Sequence, residues 1–259
     1  MKLVKNKAEN KVARFYDLFY EDDIGESKTK LEISLIISLI DGKKIENKES
    51  IKILDVGAGS GRLSLELKKE GFDVFSLDPL PDMLNTLRSR FGKHNLIPKI
   101  VCSSFENFRT KKKFDVVLFF WNTFAQIVRK KSHARKLFKK VSKILSNGGI
   151  LVVQQDEVEK SVLYGKEAYL DEKNLNGREV SIKYQFINYN PRMKTSMELE
   201  VVLEKNDGKR KKYKSTIRHT WFAKKDFLKF AKPNFRFVSI LDSKNSRFVE
   251  RGFYLVCKK

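Results

Sequence analysis

The most constraining stretch of this chain is Ile51-Lys-Ile-Leu-Asp-Val-Gly-Ala-Gly-Ser-Gly-Arg-Leu-Ser-Leu-Glu-Leu, followed by Phe72-Asp-Val-Phe-Ser-Leu-Asp-Pro. Ile51 to Val56 is a short, β-branched apolar run, the pattern of a parallel strand covered on both faces. Gly57, Gly59 and Gly61 let the backbone turn sharply and come close to a ligand with no Cβ in the way. Leu63, Leu65 and Leu67, set among charged residues, open a helix for which Gly71 is the stop. Asp73 to Leu77 is a second strand ending at Asp78, roughly 20 residues past the turn, where a carboxylate can accept hydrogen bonds from ribose hydroxyls. Strand, glycine turn, helix and acid-tipped strand in this order make a unit for binding a nucleoside.

A dinucleotide fold would need G-x-G-x-x-G. Here the turn is Gly57-Ala-Gly59-Ser-Gly61-Arg62, so the third glycine comes early and Arg62 stands in the final position. The compact G-x-G-x-G after Leu-Asp-Val resembles motif I of the class I S-adenosylmethionine-dependent methyltransferases. Phe114-Asp-Val-Val-Leu-Phe-Phe-Trp-Asn is similar to the fourth strand and active-site edge of that superfamily, and Leu145-Ser-Asn-Gly-Gly-Ile-Leu-Val-Val to its passage into strand five. The resemblance covers about residues 50 to 155. Ala13-Arg-Phe-Tyr-Asp-Leu-Phe-Tyr is also similar to the Tyr-Asp-x-x-Tyr helix that opens many of its small-molecule N- and O-methyltransferases.

Around this unit, strand and helix alternate. Val12, Phe15, Tyr16 and Phe19 form one helical stripe, suited to a lid over the cofactor mouth or to core packing, and a helix near Lys28 to Ile40 turns Leu31, Leu35 and Leu39 toward the sheet. Pro79 and Pro81 start a helix ended by Gly92. Lys99 to Cys102 and Phe114 to Phe120 are strands three and four, Ser132 to Leu145 a helix, and Gly148-Gly149 turns into strand five, Ile150 to Gln154. Beyond Gln155 the pattern changes to polar–apolar alternation over Glu179 to Asn190, Met193 to Lys205 and Lys212 to Trp221, with turn signals at Asn190-Pro191 and Asn206-Asp-Gly. A helix over Lys224 to Ala231 and strands at Phe235 to Leu241 and Gly252 to Cys257 complete the chain. The alternation implies an α/β fold, a mostly parallel sheet with helices on both faces and an antiparallel β lobe inserted after strand five; the resemblance implies that the sheet is Rossmann-like and seven-stranded, with an antiparallel last strand. One methyltransferase domain over 1–259 is expected, with a helical lid at 1–50, a cofactor-binding core at 51–155, the insertion at 156–222 and closing elements at 223–259.

Composition narrows the functional classes. A chain of 259 residues with 41% hydrophobic content can bury a sizeable core as one domain. Cys102 and Cys257 lie in apolar stretches without a CxxC partner and read as buried thiols in a reducing compartment, and three scattered histidines have no zinc-ligand spacing, so no metal is expected. The amino terminus has no apolar signal region and the longest apolar stretch is too short to span a bilayer, which points to a cytoplasmic protein without a membrane partner. The net charge of +22 would attract polyanions, or it reflects a lysine-rich composition with local Glu balance. Its densest runs, near Arg109, Arg129 with Lys139-Lys140, and Lys209, read as solvated loops or helix faces.

The resemblance assigns roles. S-adenosylmethionine is the implied cofactor. Asp55 with the amides of Gly57, Ala58, Gly59 and Gly61 would hold its methionine end and Asp78 its ribose. Pro79 and Met83 would pack on the adenine, with Ser104 and Phe105 at its edge, where many relatives carry an acid. Phe120 and Tyr16 would line the cofactor. Methyl transfer is an in-line displacement that depends on alignment and exclusion of water. Asn122 is the candidate polar contact at the mouth, His219 the candidate base, with Asp156 and Glu157 as alternatives, and Tyr20 a further candidate from the first helix. No Asn-Pro-Pro-Tyr run follows strand four, which disfavours adenine-N6 methylation. The expected function is methyl transfer to N or O of a small molecule. RNA methylation through the basic loops, and cofactor binding without catalysis, are the alternatives.

Overall fold

The computed structural model describes residues 12, 15, 16, 18, 23–40, 46–158, 160–165, 168–175, 178–246 and 252–259. Seven strands form one sheet: β1 (Lys52–Val56), β2 (Asp73–Asp78), β3 (Lys99–Cys102), β4 (Phe114–Phe119), β5 (Leu145–Gln155), β10 (Phe237–Asp242) and β11 (Phe253–Lys258). Their order is β10-β11-β5-β4-β1-β2-β3. β3, β2, β1, β4 and β5 pair in parallel, and β11 runs antiparallel to both β5 and β10. The expected architecture, antiparallel last strand included, is the one observed.

Helices cover both faces because the strands are apolar on both. On one side Ile53, Val116, Leu118 and Val152 pack against Ile33 and Ile36 of α1 (Asp23–Leu39) and Leu63 and Leu67 of α2 (Arg62–Lys69). On the other, Leu54, Val117, Phe119 and Val153 meet Leu137, Phe138 and Val141 of α5 (Lys131–Ile144) and Phe227 and Phe230 of α7 (Lys224–Ala231). Phe124 of the short α4 (Thr123–Ile127) lies within 6.3 Å, centroid to centroid, of the rings of Phe119, Phe138, Phe222 and Phe227. Helix α3 (Pro81–Gly92) lays Leu84, Leu87 and Phe91 on Leu65 of α2.

A second, four-stranded antiparallel sheet follows β5, in the order β6 (Tyr169–Leu175), β7 (Arg178–Asn190), β8 (Thr195–Asn206) and β9 (Lys209–Thr220). A single-turn helix, α6 (Lys160–Leu163), leads into it. β6 was not legible in the sequence: it is a polar edge strand whose apolar residues Tyr169 and Leu170 are 53% and 63% exposed, so no buried face imposes alternation on it.

Several expectations need correction. α1 begins at Asp23, and Leu31 and Leu39 are only half-buried; Leu35 is buried as expected, together with Thr29, Glu32, Ile33, Ile36 and Ile40. β5 begins at Leu145, because Phe114 pairs with Leu145 and Val116 with Ile150, so Gly148-Gly149 forms an irregularity inside the strand. Cys102 is exposed at the end of edge strand β3, while Cys257 is buried and its thiol held well above the usual range by desolvation. Lys140 is not a solvated lysine: its ammonium donates to the carbonyls of Phe105, Glu106 and Phe108 and stands over the Phe105 ring. Desolvation lowers its pKa. Among the described residues, no helix is long and apolar enough to cross a membrane and no group of His, Cys, Asp and Glu could hold a metal ion.

Candidate active site

The order of the sheet places the ends of β1 and β4 side by side where the connections diverge, the point at which open α/β sheets bind ligands. Gly57, Gly59 and Gly61 all have positive φ, at 73°, 56° and 86°, and their neighbours explain the spacing. A Cβ on Gly57 would lie 2.5 Å from Thr123 Cγ2, and one on Gly61 2.5 Å from Leu87 Cγ. Those two glycines let the turn pack against α4 and α3. Gly59 differs, since among the described residues a Cβ there would meet nothing nearer than the Gly57 carbonyl at 4.0 Å. It faces open space at the top of the loop, a cradle that a side chain would fill.

Asp78 closes the rim of this cradle. Its carboxylate accepts the Gly59 amide at 3.0 Å and the Leu80 amide at 2.8 Å. Burial raises its pKa to about 6, although both amides pull it down. The Gly57 and Ala58 amides donate to the Leu77 carbonyl at 2.8 and 3.1 Å, and the Gly61 amide to Ala58 at 2.9 Å; these donors shape the turn. Asp55 lies beneath it, accepting from Ser64 Oγ at 2.7 Å, which in turn accepts from Ser76 Oγ at 2.8 Å. Burial lifts Asp55 to about 6, opposed by the Ser64 hydrogen bond and the Arg62 charge.

Arg62 is now explained. Its guanidinium donates to Thr29 Oγ1 and pairs with the buried Glu32 at 2.5 Å, while lying 4.7 Å over the Trp121 ring. It ties the first turn of α2 to α1 and to the end of β4. Trp121 and Asn122 both have positive φ, 51° and 59°, and for a bulky residue such a backbone marks stored strain held in place by its surroundings. The Asn122 amide N–H donates to Gln154 Oε1 at 3.0 Å. Its side chain donates to Asp156 Oδ2 at 2.7 Å and accepts from the Asp156 amide at 2.8 Å. Gln154 Nε2 donates to the other Asp156 oxygen at 2.6 Å. The Asn122 corner is therefore pinned to the end of β5. Tyr254 is buried beside it, its ring 5.5 Å from that of Phe120, and burial with the Glu32 and Asp156 carboxylates holds its phenol well above the usual range.

The remaining candidates fall in three places. Pro79 is exposed and Met83 buried at the start of α3, Ser104 is half-buried, and Ala58 packs beside Leu65 and Leu84. Phe105 and Phe120 are enclosed, the first edge-on to Phe119 at 5.2 Å. Tyr16 lies on the second sheet: its hydroxyl donates to Glu200 at 2.5 Å, and Val12 and Phe15 pack with Val180, Ile182 and Val202. His219 is buried near the end of β9, stacked on Trp221 at 5.1 Å with 9° between planes, its Nε2 2.7 Å from Glu198 Oε2 and its Nδ1 enclosed with no hydrogen-bond partner among the described residues. Tyr20 and Phe19 lie outside the described residues. The structure thus groups Asp55, the glycines, Asp78, Asn122 and Asp156 at one edge. Sequence reasoning missed the Arg62–Glu32 pair and Glu198; the only signal for the first was an arginine where another fold wants glycine.

Residues 53–149 match the model of a family described as a methyltransferase domain. An uncharacterized methyltransferase of Mycobacterium tuberculosis is 47% identical over 38 residues, 15% of this chain and 16% of that protein. The matched stretches cover only 16% to 47% of the curated relatives. Among solved structures, DesVI of Streptomyces venezuelae superposes with a TM-score of 0.75 at 20% identity, covering 95% of this chain and 98% of that one. The sugar N-methyltransferase KedS8 from Streptoalloteichus does so with a TM-score of 0.73 at 16% identity, covering 94% and 92%. Residues 53–149 thus carry a match to a methyltransferase domain, and the chain as a whole shares the fold of these solved structures.

Proposed function

We propose that this protein transfers the methyl group of S-adenosylmethionine to a nitrogen or oxygen of a small-molecule acceptor. The carrying observation is the cradle at Gly59, open above the loop and rimmed by the buried Asp78 carboxylate. A nucleoside with a cis-diol fits this donor set, since a carboxylate accepts from both hydroxyls. When bound, the cofactor supplies a methyl group made electrophilic by its sulfonium. The chain's own part is to bind and align: Asp78 takes the ribose, Gly59 admits the backbone-hugging methionine end above Asp55, and Met83 with Pro79 lies along the adenine. Asn122, oriented by Gln154 and Asp156, presents a fixed polar group at the mouth. The Trp121 ring, with cationic Arg62 and Lys28 4.7 and 4.9 Å from its centroid, closes that corner against α1. Similarity to a sugar N-methyltransferase supports a small acceptor.

The test is ligand-induced stabilisation. S-adenosylhomocysteine at a hundredfold over its dissociation constant stabilises the fold by roughly 2.7 kcal/mol, and Asp78→Ala removes most of that shift. A folded wild-type protein whose melting temperature does not move would refute the reading.

A further inference from the structure

The loop between β3 and β4 is held in place from a distant helix. It leaves the sheet beside Asp78, whose carbonyl accepts the Ser103 amide at 3.1 Å, and folds into one turn in which the Asn107 and Phe108 amides donate to the Ser104 carbonyl at 3.1 and 2.9 Å. So short a turn has no following amides for its later carbonyls. Those of Phe105, Glu106 and Phe108 converge instead on the ammonium of Lys140 of α5, which is 3.1 Å from the second and 2.7 Å from the third. A lysine has three donors and no acceptor, so the three carbonyls take up the whole group, and it stands 4.7 Å from the centroid of the Phe105 ring. His133, two turns earlier on α5, lies 3.4 Å from the Glu106 carboxylate.

Folding alone does not call for this arrangement. Glu106, Asn107 and Arg109 are exposed, so water can reach the turn, and desolvation disfavours the charge on Lys140. Arg109 also donates to the Glu106 and Phe108 carbonyls, at 2.6 and 3.1 Å. Because Arg109 travels with the loop, it closes the turn without placing it. The Lys140 contacts tie the turn to α5, and through Leu137, Phe138 and Val141 to the sheet. Their effect is to hold the turn in one position.

That position lies where the base of a bound nucleoside falls. The sheet runs β4-β1-β2-β3, with the Gly59 cradle at the end of β1 and Asp78 at the end of β2, opposite Cys102 of β3. A nucleoside whose 5′ side lies over the cradle and whose hydroxyls reach Asp78 carries its base onward, past β2 and toward the loop that follows β3. We propose that Lys140 is a positioning residue for the purine of the donor: without touching the ligand, it fixes the turn from Ser104 to Phe108 that walls the base end of the site. This rests on the methyltransferase reading. Holding that wall before the ligand arrives removes the ordering cost from binding.

The experiment titrates the full chain calorimetrically with S-adenosylhomocysteine and with S-ribosylhomocysteine, which lacks the adenine. Wild-type protein prefers the first. In Lys140→Met, which keeps an apolar stem and loses the ammonium, that preference falls about tenfold, the scale of re-ordering a group or two on binding, while affinity for S-ribosylhomocysteine is unchanged. Lys140→Arg, still cationic, restores most of the preference. A merely structural lysine weakens both ligands together, so equal losses overturn the proposal, as does a folded variant with the wild-type preference. Should Lys140→Met not fold, Lys140→Gln gives the same comparison. Wild-type protein that binds neither ligand overturns the donor reading and this assignment with it; wild-type binding with an unchanged preference in the variant overturns this assignment alone.

Discussion

At the residue scale, two buried carboxylates make stability and binding depend on pH in opposite senses. Asp55 and Asp78 are raised from 3.8 to about 6, both chiefly by desolvation. A raised folded-state pKa means that the native protein binds more protons than the unfolded chain between about pH 4 and pH 6. Stability therefore falls as pH rises through that window, by on the order of 3 kcal/mol per carboxylate for a shift of about two units. Urea unfolding of the wild type at pH 4.5 and pH 7, set beside Asp55→Asn, checks this: the variant loses part of the pH slope, and identical slopes would refute the account. S-adenosylhomocysteine affinity runs the other way, because a protonated Asp78 accepts poorly from hydroxyls. Below about pH 6 the dissociation constant rises by up to tenfold per unit. The position of the Asp78 carboxylate at the end of the second strand was legible in the sequence. The role of Arg62 was not, since the partner Glu32 is 30 residues away and no local pattern joins them.

At the element scale, the glycine turn separates packing from binding. Gly57→Ala drives a Cβ into Thr123 in a left-handed backbone, so it lowers stability by several kcal/mol, the backbone part alone being about 1–2 kcal/mol. Gly59→Ala pays only the backbone part and fills the cradle. It is expected to fold with its stability lowered by no more than that backbone cost of about 1–2 kcal/mol, a denaturation midpoint well above that of Gly57→Ala, and to lose S-adenosylhomocysteine binding at least tenfold. Calorimetric titration beside urea unfolding separates the two, and a Gly59→Ala protein with unaltered binding would contradict the cradle. The motif announced three glycines; that two serve neighbouring helices and one faces the ligand side is decided by α3 and α4 arriving from elsewhere in the chain. The strands of the core were readable for a related reason. Apolar runs such as Ile51 to Val56 and Phe114 to Phe119 are covered on both sides whatever the acceptor. β6 and the parity of β8 were not readable, because exposed apolar and buried acidic residues reverse the usual signal.

At the scale of the whole molecule, +22 charges repel one another over a Debye length of about 10 Å in 0.1 M salt. Raising sodium chloride from 20 to 300 mM is expected to raise the thermal midpoint by screening that repulsion. Retention on tRNA, if any, is expected to vanish by about 200 mM salt, the behaviour of non-specific phosphate contacts. Retention that persists would favour a macromolecular acceptor. The charge is not uniformly idle, as Lys140 shows by fastening the loop from Phe105 to Phe108. By itself the sequence determined the parallel sheet, the glycine turn and the acid that ends β2, because strand periodicity, positive-φ demand and a terminal carboxylate are local properties that neighbours in the chain reveal. Only the tertiary structure decided which face of β8 is buried, what holds Arg62 and Asn122, and that His219 pairs with Glu198. Those depend on register between strands and on contacts across 20 or more residues, where a shift by one position exchanges the buried and exposed sets and leaves the local pattern unchanged.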